Sequence, residues 1–262
     1  MPLELTRFAS LQNIPDLRHA ITTRHGGVSA APFDSLNLGL HVGDDSERVI
    51  ENRLLVAQEL GYDDQDAVWA QQVHGANAHI VTPNDRGRGD RCYKDALPST
   101  DALICEYSDA PCWILVADCA PVLLVHPARQ VLAVVHAGWR GALGQIASRT
   151  LAQMSAEFSI EASEVLAGIG PCLCVECLEV GEEVALTAEE IGASTCIVRA
   201  GFEKPHLDLR RALLDDLKRA CVSEANVEVS SECPRCLNHK YFSHRGDGGP
   251  SGRFGLVAWW ED

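Results

Sequence analysis

Residues 116–141 read VADCAPVLLVHPARQVLAVVHAGWRG, and this stretch decides the fold class. Two apolar runs rich in Val and Leu, PVLLVH (121–126) and QVLAVVHA (130–137), flank the turn sequence His-Pro-Ala-Arg. Runs of this length, bounded by a proline-containing turn, read as two strands of an antiparallel hairpin. Cys119 and His136 stand equidistant from that turn. Directly opposed residues of a hairpin point to the same face with Cβ atoms roughly 5 Å apart, so a thiol and an imidazole are expected to meet at its open end. A slip of one residue would send them to opposite faces.

A Cys–His pair has three readings. It is a nucleophile with its base, or two ligands of a borderline-soft metal such as zinc, or a buried pair with no chemistry. The flanking residues favour a site. Asp118 sets a carboxylate at the strand end. After His136, Ala-Gly-Trp-Arg-Gly reads as a strand-to-helix turn that brings Arg140 near a helix N-terminus, where backbone N–H groups already favour an anion. A third ligand has to come from elsewhere among the ten histidines. His74 ends the apolar run AVWAQQVH (67–74) just before a glycine, but spacing does not choose it over His41 or His126. Two His and one Cys leave a tetrahedral metal one open position, the catalytic type of site.

Moving outward, further strands are expected at DALIC (101–105), CWILVA (112–117) and GLVAWW near the C-terminus. Helices are expected over 44–61, opened by Asp44 with Glu47 as a capping box and closed by Gly61, and over 140–158. In the second, Leu143, Ile146, Thr150, Met154 and Phe158 line one face. Two more fall near 179–191 and over 207–221. Residues 82–100, rich in charge, Gly and Pro, read as a surface loop. Strands and helices mixed along the whole length predict an α/β fold: residues 1–262 as a single layered domain with a mixed β-sheet flanked by helices.

The chain has 22 Lys and Arg against 37 Asp and Glu, a formal net charge of −15. Such a surface repels nucleic-acid backbone and anionic lipid, so neither nucleic acid nor membrane is an expected partner. An anionic substrate needs a local cationic site. No run is apolar enough to span a bilayer, and the charged N-terminal stretch lacks the apolar centre of a signal peptide. A cytoplasmic protein is expected. Of the eleven cysteines, Cys105, Cys112 and Cys196 sit in apolar runs and read as small buried hydrophobes.

The motifs TTRHGGVS (22–29), SLNLGLHVGDD (35–45), ENR (51–53), QQVHG (71–75), TDALIC (100–105), ADCAPVLL (117–124), HAGWRG (136–141), EVGEEV (179–184) and FSHRGDG (242–248) followed by GR together resemble the laccase-domain family, also called YfiH-type or multicopper polyphenol oxidase-like. In that family the metal ligands are the His of QVHG, the Cys of ADC and the His of HAGWRG, which map onto His74, Cys119 and His136. The resemblance thus selects His74. It implies zinc, with copper as the alternative metal. It also implies phosphorolysis of adenosine, inosine and methylthioadenosine, with adenosine deamination besides; purine nucleoside and phosphate are the expected small-molecule partners. Under this reading Asp118 supports positive charge on the sugar, Arg140, Arg53 and Arg24 contact anion, and Asn37 and Gln72 contact substrate. Arg53, on a helix, reads equally well as an ordinary surface charge.

The chain departs from the family at several points. Where the family shows IGPxIGxxxYEVG, residues 169–181 read IGPCLCVECLEVG, with Cys174 for a glycine and Leu178 for an aromatic residue. SYRRD becomes SHRGD (243–247), introducing His244 and Gly246 while keeping Arg245, and Leu213 replaces an asparagine. These changes leave the three ligands intact and bear on substrate preference. Cys233 and Cys236, with Cys172, Cys174 and Cys177, read as reduced structural thiols ahead of a second zinc site or a redox pair, because one CxxC without a partner pair is a weak signal. Rival functions are copper-dependent phenol oxidation, a metal-free Cys119 amide hydrolase acting on cell-wall precursors, and a metal-stabilised binding protein. The chain has no HxH motif of the kind multicopper oxidation requires.

Overall fold

Short runs of β-branched and aromatic residues alternate with amphipathic stretches along the chain, and each becomes an element in the computed structural model, which describes residues 2–106 and 110–261. The strands are β1 (Leu5–Thr6), β2 (Leu17–Thr22), β3 (Val68–Trp69), β4 (Ala78–Ile80), β5 (Ala102–Cys105), β6 (Cys112–Val116) and β7 (Ala120–His126). They continue with β8 (Val131–Ala137), β9 (Leu166–Ile169), β10 (Ile197–Val198), β11 (His206–Leu207), β12 (Val227–Val229) and β13 (Phe254–Trp260). The helices are α1 (Ser46–Leu60), α2 (Trp139–Leu143), α3 (Ile146–Phe158), α4 (Glu182–Glu190), α5 (Leu209–Arg219) and α6 (His244–Asp247).

Two sheets carry the fold, where one was expected. The first has the order β1-β2-β13-β6-β3 and the second β12-β9-β7-β8-β5-β4, with β10 and β11 forming a small ribbon. Both sheets are mixed: β3–β6, β4–β5 and β9–β12 are parallel and the other pairs antiparallel. The α/β class with flanking helices holds. Leu103, Leu123, Val125, Leu132 and Val134 of the second sheet pack on Ile114, Val116, Phe254 and Leu256 of the first. The alternate residues Val122, Leu124, Ala133 and Val135 face Ile146, Leu151 and Met154 of α3 and Leu213 of α5. Because β7 and β8 are covered on both faces, their sequences are continuously apolar instead of alternating. On the outer face of the first sheet Trp69, Trp113 and Trp259 pack with Val56 of α1.

The hairpin forms with a corrected register. His136 pairs with Pro121 and His126 with Val131, so Cys119 is not directly opposite His136. A 3-10 turn at Pro127–Arg129, closed by Gln130 at φ 49°, moves the centre of the hairpin. The change shifts pairing by two residues, which keeps both side chains on one face as diagonal neighbours.

Other boundaries shift for local reasons. Asp45, not Asp44, caps α1, accepting from the Glu47 N–H at 3.0 Å, while Gly61 closes it at φ 84° as expected. The helix expected over 140–158 is two pieces, because the Gly144 N–H closes on Arg140 O and Gln145 turns left-handed at φ 61°. Of the expected strand 67–74 only Val68–Trp69 pairs as strand. The loop 82–100 is partly embedded, with Asp85, Asp90 and Leu97 buried. Cys105, Cys112 and Cys196 are buried as expected, and no disulfide joins any of the eleven cysteines. No helix among the described residues is long and apolar enough to cross a membrane.

Candidate active site and metal centre

The open end of the β7–β8 hairpin meets the loops after β3 and β12. There His74, Cys119 and His136 converge, their donor atoms within 4.8 Å of one another. Each side chain is set by its backbone. His136 is the penultimate residue of β8 and is buried. Cys119 immediately precedes β7 and follows Asp118, whose φ of 91° turns the chain at the strand end. His74 sits at φ 60°, a left-handed conformation unusual outside glycine. What holds it there is Asp101. This fully buried carboxylate accepts the N–H groups of His74 at 2.9 Å and Gly75 at 2.8 Å, and the His136 Nδ1–H at 2.9 Å. Asp101 therefore fixes the His136 tautomer and leaves Nε2 as its available donor atom.

The electrostatics suit a soft cation. Burial pushes the Cys119 thiol up, but His136 and His74 outweigh it and bring it down to about 6. Burial alone would lower His136; Cys119 and Asp101 instead raise it to about 9. Burial likewise opposes ionisation of Asp101, and the His136 ring with the Gly75 and Val73 N–H groups holds it below the ordinary carboxylate range. The thiolate that zinc requires is thus favoured near neutral pH. Gly138 lets the chain pass close by: a Cβ there would lie 3.0 Å from both Cys119 Sγ and His74 Cδ2. The His74 imidazole, the carboxylate-held His136 imidazole and the Cys119 thiolate form a three-donor set that fits zinc and leaves room for a fourth ligand.

A cavity of about 400 Å³ opens over this cluster. Asp118, Arg140 and Gln72 line it, as do His41, His244, Arg245 and Arg253. Both Asp118 oxygens are engaged, by Ser243 Oγ at 2.6 Å and the Arg245 N–H at 2.7 Å, and burial still raises its carboxyl above the usual range. Arg140 stacks on Trp139, with the guanidinium carbon 4.2 Å from the ring centroid, and among the described residues it makes no ion pair. Gln72 exchanges two hydrogen bonds with the Leu115 backbone, at 2.6 and 2.7 Å, continuing in side-chain form the β3–β6 pairing that stops at Trp69.

Three expected substrate contacts lie elsewhere. Arg24 bonds the Asn238 and Asp34 carbonyls and stacks over Phe242. Asn37 is fully buried, tying Asp44, Gly39 and the Arg253 N–H together. Arg53 is buried too, donating to the carbonyls of Leu38, Gly89 and Asp90 with its guanidinium 3.6 Å over Trp69. It is not a surface charge but an internal tie, and it does not line the cavity. Conversely, Asp101, the lining histidines His41 and His244 and the cationic lining residues Arg245 and Arg253 have no such role in the sequence reading. Asp101 lies inside the motif TDALIC, so a signal was present. Arg245 and Arg253 become neighbours of the site only through tertiary folding. Away from the pocket's metal donors, Cys174, Cys177, Cys233 and Cys236 form a second group with sulfurs within 4.8 Å.

The family model described as multi-copper polyphenol oxidoreductase laccase matches residues 18–261. The purine nucleoside phosphorylase YlmD of Geobacillus stearothermophilus is 35% identical over 236 residues, 89% of this chain and 86% of the relative. The adenosine deaminase RL5, from an unknown prokaryotic organism, is 32% identical over 254 residues, covering 96% of this chain and 97% of the relative. The solved structure of Geobacillus stearothermophilus YlmD superposes with a TM-score of 0.91 at 30% identity, over 100% of both chains.

Proposed function

The chain belongs to the multi-copper polyphenol oxidoreductase laccase family of enzymes, and from that premise we propose that it is a zinc-dependent purine nucleoside phosphorylase acting on adenosine, inosine and methylthioadenosine, with adenosine deaminase activity at the same site. The observation that carries this reading is the juxtaposition of a three-donor His74–Cys119–His136 cluster with a cavity of about 400 Å³ whose wall holds several cationic side chains in a protein of net charge −15. The volume suits a nucleoside-sized ligand.

When bound at those donors, the metal supplies a Lewis acid and activates water near neutral pH. The chain's own residues supply the rest. Arg140, with Arg245 also on the cavity wall, holds phosphate so that one oxygen faces the ribose C1′ and bonds to it. As the C1′–N bond breaks, the electron pair leaves with the purine and positive charge grows on the sugar. The Asp118 carboxylate, fixed by Ser243 and the Arg245 N–H, stabilises that charge without having to reorganise. Gln72 keeps its amide against Leu115 and so shapes the wall.

Cys119→Ala tests the reading: it is expected to lose both the zinc at that cluster and turnover, and full activity in that variant would contradict it. A second reading draws support from the Cys119–His136–Asp101 geometry, which is also that of a nucleophile, its base and an orienting carboxylate. A Cys119 hydrolase keeps amide-cleaving activity in metal-free protein and loses it on alkylation; the phosphorylase is inactive without metal. Phenol oxidation by copper is disfavoured because the two donor groups among the described residues include just two histidines.

A further inference from the structure

Two turns far apart in sequence bring four thiols together. Cys174 and Cys177 lie in the segment after β9, and Cys233 and Cys236 in the segment after β12. Each is a Cys-x-x-Cys pair, so the pair at 233–236 does have a partner, hidden in the sequence by Cys172 beside it. The Cys174 carbonyl accepts from the N–H groups of Cys177 at 3.0 Å and Leu178 at 3.1 Å, and the Cys233 carbonyl accepts from the Leu237 N–H at 2.8 Å. These tight turns aim both sulfurs of each pair to one side. Backbone N–H groups of Cys174 and Cys236 lie against the Cys233 sulfur.

We infer that Cys174, Cys177, Cys233 and Cys236 form a second metal site, a closed tetrathiolate that takes one zinc ion for structure and not for catalysis. The spacing carries the assignment. All four sulfurs lie within 4.8 Å of one another, with Cys177–Cys236 at 3.6 Å and Cys174–Cys236 at 3.9 Å. Four thiolates at Zn–S bonds of about 2.3 Å form a tetrahedron with edges of roughly 3.8 Å. A disulfide needs its sulfurs at about 2.05 Å, and an iron–sulfur cluster, with several metal ions between the thiolates, holds them further apart. Protein sulfur occupies all four positions, in contrast to the open three-donor cluster in the pocket.

The site's place in the fold gives it a task. The segments it joins both carry parts of the cavity wall, Leu173 and Leu178 on one and His244 and Arg245 just beyond the other. From Cys233 to Ser243 the chain has no helix or strand. Arg210 already bridges the two entrances, donating to Cys172 O at 3.0 Å and Glu232 O at 2.6 Å. The Arg245 guanidinium reaches the Cys177 carbonyl at 3.3 Å. A metal on the four sulfurs ties both segments where they would otherwise be held by few backbone contacts.

Elemental analysis of the purified protein tests this directly. Unaltered protein should carry two zinc ions per chain. Cys233→Ser/Cys236→Ser should lose one equivalent while keeping the ion at His74, Cys119 and His136, and His74→Ala should lose the other. Cobalt(II) exchanged into unaltered protein should show intense thiolate-to-metal absorption that survives His74→Ala. This spectrum decides the matter where the double serine variant does not fold. A metal content that His74→Ala abolishes completely, or metal content and cobalt spectrum unchanged in the double variant, would overturn the assignment. So would a denatured, unreduced mass about 4 Da low, which marks two disulfides in place of the ion. None of these outcomes depends on whether the pocket performs phosphorolysis.

Discussion

Asp101 does more for the pocket than its place at the head of an apolar strand would suggest. One carboxylate orients His136 through Nδ1 and holds the His74 loop through three N–H groups. Removing such a partner from a liganding histidine typically weakens metal binding by about 10–100-fold. Asp101→Asn should therefore lose affinity in that range in a chelator competition; unchanged affinity would show that the ligands hold themselves. Gly138→Ala places a Cβ 3.0 Å from Cys119 Sγ and the His74 ring, so turnover should fall at least tenfold with little change in thermal midpoint. A midpoint drop with normal turnover per folded molecule would contradict this. Away from the pocket, His19 is buried and accepts the Phe8 N–H at 3.0 Å. Burial, helped by Arg7, lowers its pKa to about 4. Between roughly 6.5 and 4 the unfolded chain binds a proton that the folded chain refuses, so stability is full above the upper value and falls with pH below it, by on the order of 3 kcal/mol across the window. Urea titrations of His19→Gln should show a flatter acid limb than the unaltered protein; identical limbs would rule His19 out as the source.

At the scale of elements, α1 illustrates how a residue can be right in its neighbourhood and different in role. Arg53 projects inward from α1 and donates to three buried carbonyls. Arg53→Met leaves those acceptors without donors, at a cost on the order of 3 kcal/mol. The measurement is a denaturation midpoint beside a phosphate KM: the midpoint should fall and the KM hold, whereas the reverse would restore Arg53 to the substrate site. The β7–β8 hairpin was legible because its apolar runs and proline turn are local signals. Its register was not, since the left-handed Gln130 that recentres the turn has no glycine to announce it. Period-two geometry nevertheless kept Cys119 and His136 on one face. The strand expected through His74 failed for a tertiary reason: Asp101 captures the backbone N–H groups that a sheet partner would have taken. Helix ends followed the caps to within a residue or two at α1, α5 lies within the expected 207–221, and the break between α2 and α3 needed only Gly144 and one left-handed residue.

Across the whole molecule, two face-to-face sheets bury each other and are covered by helices on both outer faces. The mixture of elements was readable from periodicity, but the division into two sheets depends on β13 returning from the far end of the chain to lie between β2 and β6. The same distance hid much of the pocket: Ser243, Arg245 and Arg253 reach Asp118 and the cavity from the last 20 residues of the chain, where spacing carries no signal about residue 118. That gathering of cations in a protein of charge −15 is what a phosphate-using enzyme needs. Chelation of the pocket metal should lower the thermal midpoint as well as activity, because an ion that binds only the folded chain stabilises it; an unchanged midpoint in calorimetry would place the ligands outside the folding energetics. Phosphorolysis is read out by chromatography of inosine and adenosine incubated with metal-loaded protein, with and without inorganic phosphate. Free hypoxanthine and adenine appearing only with phosphate, together with ribose 1-phosphate, are the predicted result; free base formed equally well without phosphate, or no base at all, would contradict it.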